Sequence, residues 1–308
     1  MTTTKLKFEK VAQVAGAAGG LAWDGIGMLF TEMVMGMGGG SIRRYNPQDG
    51  STSLFRKYTV LTNGIAFGPD GSLYGCQESS RRVVRFMDDG STTLTECQIN
   101  GRYHNQPTKL ALDARGRIWF TDPWSTVRSF GPQFVPYLEH ASVLRLERDP
   151  QRRLWEIKRI TFDTAAPRAV ALSPDDQTLY VAETDNNPGG LRELRAYPIQ
   201  ADDTLGPYRL LHSFGRDYRG EQRGIEGMCT DSAGNLVAVA GSNKCGPGPL
   251  LYVFSPSGAV LESHALPADL PMNCAFGDAG LGSLYVTTAG GELLRARDCG
   301  RTGRSFGR

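Results

Sequence analysis

Pro107-Thr108-Lys109-Leu110-Ala111-Leu112-Asp113-Ala114-Arg115-Gly116-Arg117-Ile118-Trp119-Phe120-Thr121-Asp122 decides the fold. It reads as a strand over Lys109–Leu112, a tight polar turn over Asp113–Gly116 and a second strand over Arg117–Thr121. Gly116, closing a short polar run, supplies the positive φ such a turn wants. The chain repeats this pattern six times. The other first strands begin at Gly20, Gly64, Ala169, Gly227 and Cys274, which with Lys109 gives spacings of 44, 45, 60, 58 and 47 residues. Each copy continues into a third strand, such as Val83–Phe86, Val143–Leu146 or Leu251–Phe254. Five add a fourth: Ser53–Lys57, Thr92–Glu96, Leu154–Lys158, Tyr208–His212 and Ala259–Ser263. A recurring unit of this size that cannot bury its faces alone implies a repeat architecture.

The sixth copy runs out of chain before a fourth strand, and an unassigned stretch, Lys7–Val14, precedes the first copy. The economical closure gives that N-terminal strand to the last unit. The expected fold is therefore all-β: a six-bladed β-propeller, one domain over 1–308, with the N-terminal strand closing the last blade. Composition agrees, since 40% hydrophobic residues support a sizeable core and 38 glycines fit many turns. The charge of 34 basic against 32 acidic residues argues against a nucleic-acid surface. Six cysteines show no metal-ligand spacing, and Cys229 and Cys274 read as buried free thiols in first strands. With no apolar leader and no run of about 18 apolar residues, a cytoplasmic protein without a membrane partner is expected.

In such a ring the residue just before each innermost strand converges on the channel mouth. Those positions are Gly19, Asn63, Thr108, Arg168, Glu226 and Asn273, and five of the six are polar. Asn and Thr there also suit simple turn capping. The long spacings locate insertions at 123–140 and over Asp185–Arg192 with Phe214–Arg223, while Met33–Gly40 reads as an irregular rim. Long loops in a compact fold are frequently functional.

The chain resembles the SMP-30/gluconolactonase/LRE family of six-bladed propellers. The matching pieces include Thr62-Asn63-Gly64 with Pro69-Asp70-Gly71, Ser79–Arg85, and Asn105-Gln106-Pro107. They continue with Trp119-Phe120-Thr121-Asp122-Pro123, Leu172-Ser173-Pro174-Asp175, Leu179–Thr184, Gly227-Met228 and Asn273 with Phe276-Gly277. The resemblance implies hydrolysis of lactones or phosphoesters and a divalent cation, often Ca²⁺, held by Glu, Asn, Asn and Asp. Here the family's Glu-Gly-Pro is Gly19-Gly20-Leu21, Pro-Asn-Asp is Pro107-Thr108-Lys109, Pro-Asn-Gly is Pro167-Arg168-Ala169, and Asp-Gly-Met is Glu226-Gly227-Met228. Calcium takes six to eight oxygens, carboxylates among them. One carboxylate, one hydroxyl and an arginine do not make that set, so no metal and no cofactor is expected.

The expected chemistry is metal-independent opening of a small polar cyclic ester in the channel. Glu226 is the acid/base. Arg168 pairs with Glu226 or binds the oxyanion or a substrate carboxylate, in the place of the metal. His104 is a candidate proton carrier, as is His140. Asn63, Thr108 and Asn273 position the substrate, Asn186 touches it, and Trp124, Phe130, Phe134 and Tyr137 wall the pocket. Lys109 is expected to point away from the face Thr108 uses, and Glu32 and Glu78 to lie far from the ring centre. There is no Gly-x-Ser-x-Gly elbow. The ring is also similar to strictosidine synthase-like propellers, which implies metal-free chemistry with a Glu. A lyase, isomerase or condensing enzyme therefore stands as an alternative, as does a non-catalytic ligand-binding propeller.

Overall fold

A computed structural model describes residues 5–35, 39–124, 136–149, 151–152 and 154–304. Six four-stranded antiparallel sheets form the blades of a propeller. Their innermost strands are Ala17–Trp23, Thr62–Phe67, Leu110–Leu112, Pro167–Leu172, Ile225–Thr230 and Pro271–Gly277. The expected N-terminal closure holds: Glu9–Gln13 pairs antiparallel with Glu292–Ala296 as the outermost strand of blade six, with Glu9 opposite Arg295 and Lys10 opposite Leu294. Among the described residues the only helical element is a 3₁₀ turn at Ala279–Leu281, and no helix is long and apolar enough to cross a membrane.

The deciding stretch folds as read. Leu110–Leu112 pairs with Ile118–Asp122. Gly116 has φ 75°. The Asp113 carboxylate accepts the backbone N–H groups of Arg115 and Arg117, both at 3.0 Å, and also takes Arg117 Nε at 2.6 Å and Trp119 Nε1 at 3.0 Å. The turn is thus tied to the strand that follows it.

Burial is deepest in the second strands and falls toward the outer edge of each blade. The second strands Leu73–Gln77, Ile118–Asp122 and Leu236–Ser242 are buried throughout, whereas the outer strands Thr52–Lys57 and Thr92–Leu94 are largely exposed. Because successive residues of a strand face opposite ways, each blade feeds two neighbours. Met28 and Phe30 pack toward blade six with Tyr285 and Leu293, while Leu29 between them packs on Ile65 and Val84 of blade two. The apolar core is therefore six interblade clusters, one at every junction, and the cluster joining blades six and one closes the ring. The six cysteines are free, with Cys229 Sγ and Cys274 Sγ 4.0 Å apart across adjacent inner strands.

Candidate active site

The inner strands are irregular at their first residues, and this irregularity builds the site. The pairing with the second strand skips between Ala18 and Leu21, Thr62 and Ile65, Pro167 and Ala169, Ile225 and Gly227, and Pro271 and Asn273. The skipped residues include Gly19, Asn63, Arg168 and Glu226. A bulge leaves one residue unpaired and re-aims its side chain, here toward the hub. In blade six the skipped residue is Met272. Asn273 is the next residue, paired with Thr287 and seated against Gly227, so it occupies a different position from Arg168 and Glu226.

Threonines of the second strands fix these bulges from the neighbouring blade. Thr31 donates to the Asn63 carbonyl at 3.0 Å, Thr121 to Arg168 at 3.4 Å, Thr184 to Ile225 at 2.8 Å, and Thr287 to Gly19 at 2.5 Å. Each is an interblade bond to a backbone carbonyl at a bulge or directly beside one. Acidic residues next to these threonines hold the incoming loops: Glu32 accepts Ala15 N, Asp122 accepts Asn105 N, and Glu183 accepts the N–H groups of Ala165 and Ala166. Glu32 also pairs with Arg43 and Ser41, consistent with its expected distance from the ring centre.

Glu226, only 4% exposed, does not pair with Arg168. Its partner is Arg223, whose guanidinium lies 2.7 Å from Oε1, and Asn186 Nδ2 stands 3.5 Å from the same oxygen. Arg223 comes from the insertion, three residues before Glu226, and Asn186 arrives where expected. The two halves of this insertion lock together through Arg192–Glu221 and Gly189 N to Glu221. Among the described residues no protein group bonds Glu226 Oε2. Arg168 is half-buried, its Nε is enclosed without a partner, and it makes no ion pair among the described residues.

Two side chains expected away from the ring belong to it. Lys109 N bonds the Thr121 hydroxyl instead of a ladder carbonyl, so regular alternation does not set its direction. Its ammonium reaches Asn63 Oδ1 at 2.8 Å, and Asn63 Nδ2 donates to Glu78 Oε1 at 2.7 Å. Burial pushes the Lys109 ammonium down to about 8, against the opposing pull of Glu226 and Glu78. Burial pushes the Glu78 carboxyl up, countered by Asn63, Lys109 and Arg168. Four charged groups from four blades therefore sense one another at the hub.

Other expected contributors lie elsewhere. His104 is fully enclosed; Nδ1 is 3.2 Å from Asp122, Nε2 has no partner, and the ring stacks edge-on to Phe120, so it does not open onto the channel. The Thr108 hydroxyl donates to the Gln106 carbonyl at 3.2 Å, closing its own turn. His140 Nδ1 lies 2.8 Å from Ser142 Oγ and burial pushes its imidazole down. Trp124 is 53% exposed, and Tyr137 takes the Arg81 guanidinium on its ring face at 3.9 Å. Phe130 and Phe134 lie outside the described residues. Below the ring, a cavity of about 810 Å³ follows the inner strands from Gly64, Lys109 and Asn273 to the far-end turns at Gly25, Gly68 and Asp278.

Residues 19–290 match the SMP-30/Gluconolactonase/LRE-like region. The chain belongs to the SMP-30/gluconolactonase/LRE-like family. A gluconolactonase of Zymomonas mobilis is 27% identical over 242 residues, covering 77% of this chain and 63% of that relative, somewhat under two thirds of its length. A 6-deoxy-6-sulfogluconolactonase of Pseudomonas putida is 25% identical over 258 residues, covering 81% of this chain and 76% of that one. The solved structure of a gluconolactonase from Xanthomonas campestris superposes with a TM-score of 0.75 at 26% identity, covering 95% and 90% of the two chains.

The divalent cation that membership of the SMP-30/gluconolactonase/LRE-like family implies does not fit the residues present. Among the described residues no group of three His, Cys, Asp or Glu side chains is placed to hold a metal ion. Of the two hub carboxylates, Glu226 is engaged by Arg223 and Glu78 by Asn63, and the buried Lys109 ammonium bonds the same Asn63.

Proposed function

We propose that the chain is a lactonase-type hydrolase that opens a small polar cyclic ester at the ring without a divalent cation. The observation that carries this is that adjacent inner strands bring up a carboxylate oxygen, Glu226 Oε2, and a guanidinium, Arg168, neither of them in an ion pair or bonded to each other among the described residues. Arg223 holds the other oxygen of Glu226 and so fixes the carboxylate's orientation. The lactonase names of the relatives support the same reaction class.

Glu226 takes a proton from water as the water oxygen bonds to the lactone carbonyl carbon. The carbonyl π electrons move onto oxygen, and Arg168 binds that oxyanion or a carboxylate of the substrate. When the intermediate collapses, the ring C–O bond breaks and protonated Glu226 returns its proton to the leaving alkoxide. Lactone and water become one hydroxy acid, with no other reactant. Acid–base work of this kind is worth about 10²–10⁴ in rate. The test is pH-stat hydrolysis of an aldonolactone panel by chelator-stripped protein. Glu226→Gln is expected to lower turnover at least about 100-fold. Unchanged turnover in that variant, or activity that appears only on adding a divalent ion, contradicts the reading. Saturable lactone binding without hydrolysis makes the chain a non-catalytic binding propeller.

A further inference from the structure

Lys109 is the hub group that this reaction leaves without a task. It is 5% exposed, yet its ammonium, with three donors, finds one hydrogen-bond acceptor among the described residues, Asn63 Oδ1 at 2.8 Å. No carboxylate among the described residues lies within ion-pair distance of it. Glu226 and Glu78 favour its charge only from further off. A buried ammonium with unspent donors is costly to the fold, and such groups concentrate where the charge is used. Its position is also fixed. The Asn63 amide is held at both ends, by Lys109 on the oxygen and Glu78 on the nitrogen, and the Asn63 backbone carbonyl is held by Thr31 of blade one. Lys109 also borders the 810 Å³ channel cavity, a space of the size that small-molecule sites occupy.

We infer that Lys109 is the built-in cation of this ring: its free N–H groups bind the oxygen on which negative charge gathers, at the hub where a divalent ion is disfavoured. The inference rests on the ring being the site of turnover. Lys109 donates hydrogen bonds to the carbonyl oxygen as the water oxygen adds to carbon, and keeps its proton throughout. The charge released when the C–O bond breaks is neutralised by the proton on Glu226. Arg168 is then left to hold a carboxylate or other anionic substituent of the substrate.

Two measurements test this, one of which needs no turnover. D-gluconate, the open form of the lactone for which the Zymomonas mobilis relative is named, supplies a carboxylate in place of the oxyanion. Calorimetry with metal-stripped protein is expected to show saturable binding that weakens as the pH passes about 8. In Lys109→Met the affinity should be at least tenfold lower and independent of pH over that range. Lys109→Gln, which keeps a donor toward Asn63, serves if the Met variant does not fold. In the hydrolysis assay the same variant should lose about 100-fold or more in kcat, the usual cost of one oxyanion donor. Equal gluconate affinity in wild type and variant overturns the inference, as does one Ca²⁺ or Mn²⁺ bound per wild-type chain. Absence of lactone hydrolysis with the gluconate difference intact defeats only the hydrolase reading.

Discussion

Raising the pH should stabilise this protein through Lys109, and the size of the effect follows from its burial. The folded ammonium is pushed down from 10.5 to about 8 because the hub desolvates it. Between those two pH values the unfolded chain carries a proton at Lys109 that the folded chain has released. Stability rises with pH wherever the unfolded state binds more protons. A gap of roughly 2.5 units at 1.36 kcal/mol each amounts to about 3 kcal/mol. The penalty is fully present below about pH 8 and has gone above about 10.5. Lys109→Met lacks the titrating group, so the stability difference, wild type minus variant, should grow by about 3 kcal/mol between pH 7.5 and 10.5. Urea unfolding of both proteins at four pH values across that window, followed by tryptophan fluorescence, measures it. Taking the difference cancels the other lysines and the tyrosines. A difference constant to within about 0.5 kcal/mol, or one that shrinks with pH, would refute the reasoning.

The remaining predictions concern the scaffold and the carboxylate. Asp113→Ala removes four hydrogen bonds made by a buried carboxylate, leaves Trp119 Nε1 without its acceptor and leaves Arg117 with Asp203 alone, so it should cost about 3 kcal/mol in urea unfolding; a loss under about 1 kcal/mol contradicts the role given to the turn. Deleting residues 1–13 bares the edge of Glu292–Ala296. Lower thermal stability and self-association are expected, both reversed by a peptide of residues 5–16, and an unchanged melting temperature with a monomeric product would count against closure by the N-terminal strand. Arg223→Met releases Glu226 Oε1 and with it the carboxylate's orientation, so kcat for lactone hydrolysis should fall about 10- to 100-fold, and an unchanged kcat argues against Arg223 setting the carboxylate.

Much of this was legible in the sequence, for identifiable reasons. The Asp113–Gly116 turn and its counterparts are short-range signals, set by residues that touch along the chain. Counting strands sufficed to give the sixth blade its outer strand from the N-terminus. Repetition marks the places of Glu226, Asn63 and Arg168, which the structure sets at the bulges of their inner strands. What escaped depends on bulges and on reach. Alternation directs Lys109 away from Thr108's face, but its N–H is bonded to the Thr121 hydroxyl, outside the regular ladder. Likewise, repetition equates Asn273 with Glu226, whereas the bulge in blade six falls on Met272. Glu78 and Arg223 lie beyond the repeat positions and enter the hub on long side chains from a strand end and an insertion. The recurring threonines Thr31, Thr121, Thr184 and Thr287 are plain in the sequence. Their purpose shows only when neighbouring blades are side by side.

The central claim is that side-chain cations fill the hub in place of a divalent ion. Electron density at the ring of crystals soaked in millimolar CaCl₂ tests it most directly. The account predicts Lys109 Nζ on Asn63 Oδ1, Arg223 on Glu226, and no ion within coordination distance of Glu226. A calcium ion bound by Glu226, with Lys109 and Arg223 turned away, would contradict it.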